Sequence, residues 1–250
     1  MENIYGLHNI VALLETNPQT INKLYINREK SRQYKKIIDD VASKNIKTAF
    51  TDNVVLERMV KHNRHNGLVA EVSSLNHVKD KDDLLEFIKT ISSKKQAIVV
   101  LLDGITDTNN LGAIIRSCEC LGVDAIVVPQ HNSAPVNHTV ARVSAGAIYY
   151  IPIFAVNNLL SAIEILQEYN FIVASTVLST NSVPLSQFAT TSKHVAWVLG
   201  NEETGVRPII QKASDALIKL EMSGKTQSLN VSVTAALVVF DTINKLKIQI

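Results

Sequence analysis

Residues 97–128 read AIVVLLDGITDTNNLGAIIRSCECLGVDAIVV. The first six and the last four of these residues are continuous apolar runs of strand length, which are typical of parallel strands buried on both faces. Between the two runs, a polar loop over 103–112 leads into a helical pattern from Ala113 to Leu121. Strand, loop, helix and strand in this order predict one repeating unit of an α/β sheet.

The same alternation continues to the end of the chain. Further strands are predicted at 150–154, 171–174, 195–199 and 216–220, and further helices at 140–147 and 159–169. The last segment, 229–246, is rich in Val and Thr, which favours a strand. Its length, and the spacing of Leu229, Val233, Leu237 and Phe240, favour a helix instead. We therefore expect residues 96–250 to form an open, mostly parallel sheet with helices on both faces.

A smaller α/β unit is predicted over residues 1–74. It has a helical pattern that ends near Asn17-Pro18, a second helix over 34–41, and strands at 23–26, 46–50 and 68–72. Residues 75–95 contain the charged run 79–83 and then a short amphipathic helix. This composition predicts a polar linker, and we place the domain boundary inside it.

The composition excludes several classes of protein. Hydrophobic residues make up 46% of the 250 residues and charged residues 19%, which is typical of a globular chain with a sizeable core. No apolar run approaches the ~18–20 residues that span a bilayer, and the start of the chain lacks the pattern of a signal peptide. Cys118 and Cys120 suit neither a disulfide framework nor a metal site. We expect a cytoplasmic protein without a metal and without a membrane anchor.

The net charge of +2 says little, but the charge is unevenly distributed. Residues 1–74 carry 11 Lys and Arg against 8 Asp and Glu, whereas residues 98–250 carry 9 against 11. The N-terminal third is therefore mildly basic. This excess is compatible with a module that faces RNA, and a merely solvated surface explains it about as well.

Ligands of an open α/β sheet bind in the loops at the carboxyl ends of its strands. Those loops lack the Gly-x-Gly-x-x-Gly fingerprint and the phosphate-binding loop Gly-x-x-x-x-Gly-Lys-Ser/Thr. Their absence argues against dinucleotide-dependent dehydrogenases and nucleoside triphosphatases. It also argues against the common open-sheet methyltransferases, whose first loop is rich in glycine.

Three other loops stand out. The first, 103–112, precedes a helix that carries Arg116, and a long cation on a largely apolar helix needs an anionic partner or substrate. In the second loop, 199–208, two glycines flank two carboxylates. In the third, 220–232, Ser228 is expected to cap the last helix. Taken singly, each loop is also explained by turns and helix caps, including a cap at Asn110; the combination of the three is far more specific.

In this combination the chain resembles the SpoU (TrmH) family of RNA ribose 2′-O-methyltransferases. The residues that carry the resemblance are Asn110 to Arg116 in the first motif, Gly200-x-Glu202-x-x-Gly205 in the second, and Ser228-Leu229-Asn230-x-Ser232 in the third. Tyr5-Gly6-Leu7-His8 and the following helix resemble the start of the family's N-terminal RNA-binding domain. Thr108 stands where the family usually has proline, a change that removes no reactive group.

The resemblance implies a trefoil-knotted SPOUT methyltransferase domain over 96–250, S-adenosylmethionine as cofactor and a homodimer. It is strongest to bacterial enzymes that methylate a guanosine ribose of 23S rRNA. Carried over by position, the cofactor would contact six residues in the loops: the backbones of Gly200, Leu220 and Leu229, with Thr176, Leu178 and Met222 nearby.

The resemblance also implies catalytic roles for Arg116, Asn110, Glu202, Ser228 and Asn230. The family assigns the position of Arg116 the role of base. Because a guanidinium is effectively always protonated, we expect a fixed cation that holds the neighbouring phosphate and stabilises the developing alkoxide. Asn110 would orient the arginine or the ribose, Glu202 would hold Arg116 or Asn230, and Ser228 and Asn230 would complete the hydrogen-bond network.

Two alternatives stay open. The first is methylation of tRNA, although tRNA enzymes of the family often lack the full N-terminal domain, so the basic unit over 1–74 favours rRNA. The second is a non-catalytic RNA-binding protein on the same scaffold. The presence of Asn110, Arg116, Glu202 and Asn230 together argues against it, because binding alone would not require all four.

Overall fold

The computed structural model describes residues 2–61, 63–73, 78–179, 181–189, 192–226 and 228–246. The elements follow in the order β1 (Glu2–Tyr5), α1 (Leu7–Thr16), β2 (Ile21–Asn27), α2 (Lys35–Ser43), β3 (Lys47–Thr51), α3 (Asn53–Val60), β4 (Leu68–Val72), β5 (Val78–Lys79), α4 (Lys81–Ile91), β6 (Ala97–Asp103), α5 (Thr108–Cys120), β7 (Ala125–Pro129), α6 (His138–Val143), β8 (Ile153–Val156), α7 (Leu159–Glu168), β9 (Phe171–Thr176), β10 (Val183–Pro184), β11 (His194–Gly200), α8 (Pro208–Ala213), β12 (Ala216–Lys219) and α9 (Val231–Leu246).

The chain divides into two compact units. The first consists of Met1–His77 with Asn137–Tyr150, and the second of Val78–Val136 with Ile151–Ile250. Two features distinguish this division from the predicted ranges 1–74, 75–95 and 96–250. The segment that contains α6 belongs with the N-terminal residues, and α4, in the predicted linker, belongs to the second unit.

The first unit is built on a four-stranded sheet in the order β1-β4-β2-β3. Strands β2 and β3 are parallel, and β4 is antiparallel to both of its neighbours. The apolar face of α1 supplies Ile10 and Leu13, and the central strands supply Leu24, Ile26 and Leu68, all of which are fully buried. The small α/β unit predicted from the sequence is present, although β1 and α3 were not predicted.

The second unit is built on an eight-stranded sheet in the order β10-β12-β9-β11-β6-β7-β8-β5. Every pairing between its described strands is parallel. From β6 the chain adds β7 and then β8 on one side of that strand. The later strands β9, β11 and β12 lie on its other side. Strands β6 and β11 therefore flank the point where the strand order reverses, which is where sheets of this kind bind ligands.

Helices cover both faces of this sheet. On one face α4, α7 and α8 pack against alternate strand residues such as Val99 and Val127. On the other face α9 packs against α5 and β11, and the indole Nε1 of buried Trp197 donates a hydrogen bond of 2.9 Å to Thr242 Oγ1. The predicted mostly parallel sheet with helices on both faces is confirmed.

Helix α4 lies in the core of the second unit, although its sequence was assigned to a linker. Leu84, Ile88 and Ile91 are 0–2% exposed and belong to the core beside β8 and α7. The flanking charges are explained by the start of the helix, where the Asp80 side chain accepts from the backbone N–H groups of Asp82 and Asp83. A charged run here caps a buried helix.

Helix α5 begins at Thr108, five residues before the predicted start at Ala113. The Asp107 side chain caps it by accepting from the Asn109 N–H at 2.8 Å, so the cap is not Asn110. Asn109 and Asn110 are poor helix formers, which is why the apolar pattern alone placed the start too late.

The last segment is a helix, α9, as its length and spacing indicated. Its buried face is formed by Ala235, Val238, Val239, Thr242 and Ile243. Of the four residues whose spacing indicated the helix, Val233, Leu237 and Phe240 lie instead on its exposed side, and Leu229 precedes its first residue; each of the four is 42–52% exposed.

Candidate active site

A pocket lies at the carboxyl edge of the second sheet, where β12, β9 and β11 are neighbours. It encloses about 330 Å³, within the range of small-molecule sites. All six residues predicted to hold the cofactor line it: Thr176, Leu178, Gly200, Leu220, Met222 and Leu229. The structure thus brings together three segments of the chain that follow three different strands.

The wall after β11 is shaped by a tight loop. Asn201 and Gly205 exchange two backbone hydrogen bonds, N–H to O=C, of 3.2 and 2.9 Å. A Cβ on Gly200 would stand only 2.1 Å from the backbone nitrogen of Val206 and 2.2 Å from the carbonyl carbon of Gly205. Gly205 has φ +68°, a conformation that L side chains rarely adopt. Both glycines of the second motif are therefore required by the backbone.

Hydrogen bonds connect this loop to the end of β6. Asp103, whose side chain is 1% exposed, accepts from Arg207 Nε at 2.7 Å and from the Arg207 backbone N–H at 2.8 Å. The Asn201 side chain donates to the carbonyl oxygen of Gly104 at 2.7 Å and accepts from two N–H groups of its own loop. Sequence reasoning did not assign Asp103 or Arg207. The available signal was a single carboxylate directly after an all-apolar strand.

A hydrogen-bond network connects the pocket wall to α5 and α9. Glu202, which lines the pocket, accepts from Asn110 Nδ2 at 2.6 Å. Asn110 Oδ1 in turn accepts from Asn230 Nδ2 at 3.0 Å. Asn230 Oδ1 accepts from the N–H and the hydroxyl of Ser232 at 2.8 and 2.6 Å. Three of the five predicted catalytic residues, one from each motif, therefore touch one another.

The cap of α9 is Asn230, because its side chain receives the N–H of the second helical residue. The expectation that Ser228 caps this helix is wrong. Ser228 lies at the pocket wall instead. In the described part of the chain, no hydrogen bond joins Ser228 to the Glu202–Asn110–Asn230 network.

Arg116 lies on the exposed side of α5. Among the described residues, no hydrogen bond or ion pair holds its guanidinium, and it does not line the pocket. Asn110 and Glu202 contact each other rather than Arg116, so the structure does not contain the expected contact between Glu202 and the arginine. Glu202 does act on Asn230, through Asn110.

The site is built from neutral groups apart from two carboxylates. Within the described lining, Glu202 and Glu203 are the charged side chains. Among the described residues, no cluster of His, Cys, Asp and Glu is suited to hold a metal ion. Nor is any helix found there that is long and apolar enough to cross a membrane. Burial raises the pKa of the Cys118 thiol to about 12, which makes it unreactive at neutral pH.

Comparison with known proteins agrees with this geometry. Residues 97–240 match the model of the SpoU rRNA methylase family. Residues 3–78 match the model for RNA 2′-O ribose methyltransferase substrate binding.

A 23S rRNA (guanosine-2′-O-)-methyltransferase of Neisseria meningitidis is 35% identical over 241 residues, which cover 96% of this chain and 93% of the relative. The crystal structure of an AdoMet-bound rRNA methyltransferase from Sinorhizobium meliloti superposes with a TM-score of 0.78 at 20% identity, covering 97% of this chain and 87% of that one. The SpoU methyltransferase AviRb from Streptomyces viridochromogenes, in complex with AdoMet, has a TM-score of 0.76 at 20% identity and covers 97% and 89%.

The two structural relatives confirm the fold class that the motifs implied. The family model spans more than half of the chain, and the sequence relative matches it over nearly its full length. The protein belongs to the SpoU rRNA methylase family.

Proposed function

We propose that the protein transfers the methyl group of S-adenosylmethionine to the ribose 2′-hydroxyl of a guanosine in 23S rRNA. The observation that carries this proposal is the contact of Glu202, Asn110 and Asn230 at the wall of the pocket. Glu202 belongs both to the wall of the pocket and to the polar network, which contains one residue from each of the three motifs. The activity by which the Neisseria relative is named supports the choice of substrate.

The pocket fits S-adenosylmethionine on its own chemistry. Its walls are largely loop backbone and apolar side chains, which suit an adenine ring that needs directed donors and acceptors. The charged side chains at the described wall, Glu202 and Glu203, are both acidic and favour a sulfonium cation over an anionic ligand. When bound, the cofactor supplies a methyl group that is already activated for nucleophilic attack.

The protein then has to position the ribose and manage one proton. The side chain of Asn110 donates to Glu202 and accepts from Asn230, so its amide plane is held from both ends. One N–H of Asn110 and the Oε2 atom of Glu202 are left to bind ribose hydroxyls. We assign Asn110 and Glu202 to orienting the ribose, and Asn230 to holding Asn110.

Arg116 supplies the fixed positive charge. It is exposed on α5, and among the described residues no carboxylate pairs with it, so its guanidinium is available to an RNA phosphate. A planar guanidinium binds phosphate through two parallel hydrogen bonds. Its charge also stabilises the alkoxide that develops as the 2′-hydroxyl attacks. Ser228, at the pocket wall, completes the polar surface that faces the ribose.

The proposal includes a homodimer formed through α9. Val233, Leu237 and Phe240 form a row of large apolar side chains on one side of this helix, each exposed to 42–52%. Monomeric proteins rarely expose contiguous apolar rows of this kind. A second copy of the chain would cover the row. The proposal also places the protein in the cytoplasm, where its ribosomal substrate is assembled.

Cofactor binding distinguishes this proposal from a non-catalytic RNA-binding protein. Calorimetric titration with S-adenosylmethionine should show one site per chain. A folded protein that binds RNA but not S-adenosylmethionine would overturn the enzyme assignment.

The choice between rRNA and tRNA needs a separate experiment. Ribose methylation should be mapped in both RNA pools from a strain that lacks the gene and from its parent. We expect one guanosine of 23S rRNA to lose its 2′-O-methyl group. Loss at a tRNA position, with 23S rRNA unchanged, would support the alternative substrate.

A further inference from the structure

One edge of the sheet in the first unit combines an exposed aromatic ring with a local excess of positive charge. Parallel strands β2 and β3 end at this edge, and antiparallel β4 begins there, because Ile26 pairs with both Phe50 and Leu68. Residues 28–32, 50–53 and 63–67 therefore meet at one place. We call these residues the basic edge.

Phe50 is 45% exposed although it lies within a strand. Arg28 lies beside it, since its Nε donates a hydrogen bond of 3.3 Å to the carbonyl oxygen of Phe50. The guanidinium is thereby held at the backbone of Phe50, on the exposed surface. On α3, Val54 and Val55 are also exposed, to 56% and 41%.

The loops of the basic edge are well ordered by their own hydrogen bonds. Asn27 accepts from the Glu29 N–H at 2.8 Å and donates to the Asn53 side chain at 2.7 Å, which ties the ends of β2 and α3 together. Lys30 Nζ and the Tyr34 hydroxyl both donate to the carbonyl oxygen of Asn66, at 3.3 and 2.6 Å. A surface fixed in this way loses little conformational entropy when it binds a ligand.

The charge of the basic edge is positive. In sequence its segments carry four Lys and Arg against two carboxylates. The cations are Arg28, Lys30, Arg32 and Arg64, and the carboxylates are Glu29 and Asp52. Cations grouped around an exposed aromatic ring match the chemistry of single-stranded RNA, whose bases stack on aromatic side chains while the phosphates contact Lys and Arg.

We propose that the basic edge binds an unpaired segment of the RNA substrate, with a base stacked on Phe50 and the adjoining phosphates held by Arg28 and Arg32. This inference rests on the proposed function for the identity of the substrate. It adds the surface, the form of RNA and the residues. The edge contributes binding energy and takes no part in methyl transfer.

Fluorescence tests the stacking directly. Trp197 is the only tryptophan of the chain and is fully buried, so the variant F50W places a single exposed indole at the basic edge. A stem–loop RNA should quench and shift the F50W emission, whereas a blunt duplex should have little effect. In the control L85W, on an exposed position of α4 in the second unit, neither RNA should change the emission of the new indole.

Kinetics tests whether the contact serves the substrate. F50A should raise KM for rRNA by about 5- to 150-fold, the effect of removing one stacking aromatic, with kcat and affinity for S-adenosylmethionine unchanged. F50Y should restore most of the loss. R28Q should weaken binding and reduce the slope of log K against log salt by about one unit. The control K47Q changes an exposed lysine at the opposite end of β3. It should change neither the affinity for RNA nor the slope of its salt dependence.

The outcomes separate this inference from the proposed function. If the wild-type enzyme methylates rRNA while F50W is not quenched and F50A is normal, the inference is overturned and the proposed function stands. If F50W is quenched by the stem–loop but no methyl group is transferred, the RNA surface is supported and the enzyme assignment fails. Quenching by a protein from the ribosome, with none by RNA, would also overturn the inference.

Discussion

Asn110 shows how one neutral side chain organises the site. Its amide is held between the carboxylate of Glu202, 92 positions away in sequence, and the amide of Asn230, 120 positions away. The motifs identified all three from the sequence, because their residue types and order are specific. The pairing itself was not predictable. Glu202 was expected to hold either Arg116 or Asn230, and only the packing of α5 against α9 brings Asn110 between Glu202 and Asn230.

At Arg116 we predict a loss of rate without a loss of binding. R116A should lower the single-turnover rate of methyl transfer by about 10²–10³, the usual effect of removing one preorganised donor at a developing charge. Affinity for S-adenosylmethionine and the melting temperature should stay close to wild type, because the side chain is exposed and does not line the pocket.

R116K discriminates a fixed cation from a base. A lysine keeps the charge but loses the planar fork, so a fixed cation predicts partial recovery with no new dependence on pH. A base predicts a rate that rises steeply with pH as the lysine loses its proton. Single-turnover rates across pH give the answer, and a stable R116A with an unchanged rate would contradict both roles.

At Gly200 we predict that a single methyl group disrupts the pocket. In G200A the new Cβ would meet backbone atoms of Gly205 and Val206 at 2.1–2.2 Å, so the loop must move. Calorimetry should find affinity for S-adenosylmethionine reduced by at least tenfold. This corresponds to a loss of more than about 1.4 kcal/mol of binding free energy when one wall of the pocket is displaced. The control G224A lies in the third loop with no atom within 4 Å of the added methyl, and it should bind normally. Normal binding by G200A would contradict the loop geometry.

At the scale of elements, the start of α5 carries a departure from the family's motif pattern, Thr108 in place of proline. Thr108 is the first residue of this helix, a position where proline is well tolerated because its N–H has no partner within the helix. The preceding residue, Asp107, has φ −84° and ψ 121°, which is the extended conformation that a following proline requires.

T108P should therefore stabilise the protein. Fixing φ at a compatible position contributes about 0.4–1 kcal/mol, and melting should rise by roughly 1–4 °C. Differential scanning calorimetry measures the melting temperature, and the rate of methyl transfer is measured on the same variant. A variant that melts lower than wild type would show that the start of α5 differs from the structure described.

Helix α4 marks the limit of sequence reasoning at this scale. Its amphipathic pattern was recognised, but a charged run beside it suggested a linker. The run 79–83 caps the helix, while Leu84 and Ile88 pack into the core. A charged run in the sequence indicates that one face of a helix is exposed to solvent. It does not indicate the sheet against which the opposite, apolar face packs.

At the scale of the whole molecule, the two units were predictable but their exact membership was not. Continuous apolar runs of strand length predicted the larger sheet, and alternating patterns predicted strands of the smaller one. The assignment of Asn137–Tyr150 to the first unit depends on contacts with residues more than 100 positions away, for which a single sequence carries no periodic signal. The exposed side of α9 is a similar case, because the spacing of apolar residues predicted the helix correctly without showing that three of those residues lie on its exposed side.

The row of exposed apolar side chains on α9, which includes Leu237 and Phe240, leads to a prediction about the oligomeric state. L237D together with F240D should convert the proposed dimer to a monomer in sedimentation equilibrium, because two buried charges would have no partners at the interface. The control L85D introduces a charge at an exposed position on α4 and should leave the dimer intact. Wild-type protein that sediments as a monomer at micromolar concentration would contradict the assignment of this row.

The most direct measurement is the chemical position of the transferred methyl group. Purified protein is incubated with methyl-labelled S-adenosylmethionine and 23S rRNA from a strain that lacks the gene, and the RNA is digested to nucleosides. The account predicts label in 2′-O-methylguanosine, abolished in N110A and retained in G224A. Label on a base, or no label from folded protein that binds the cofactor, would contradict it.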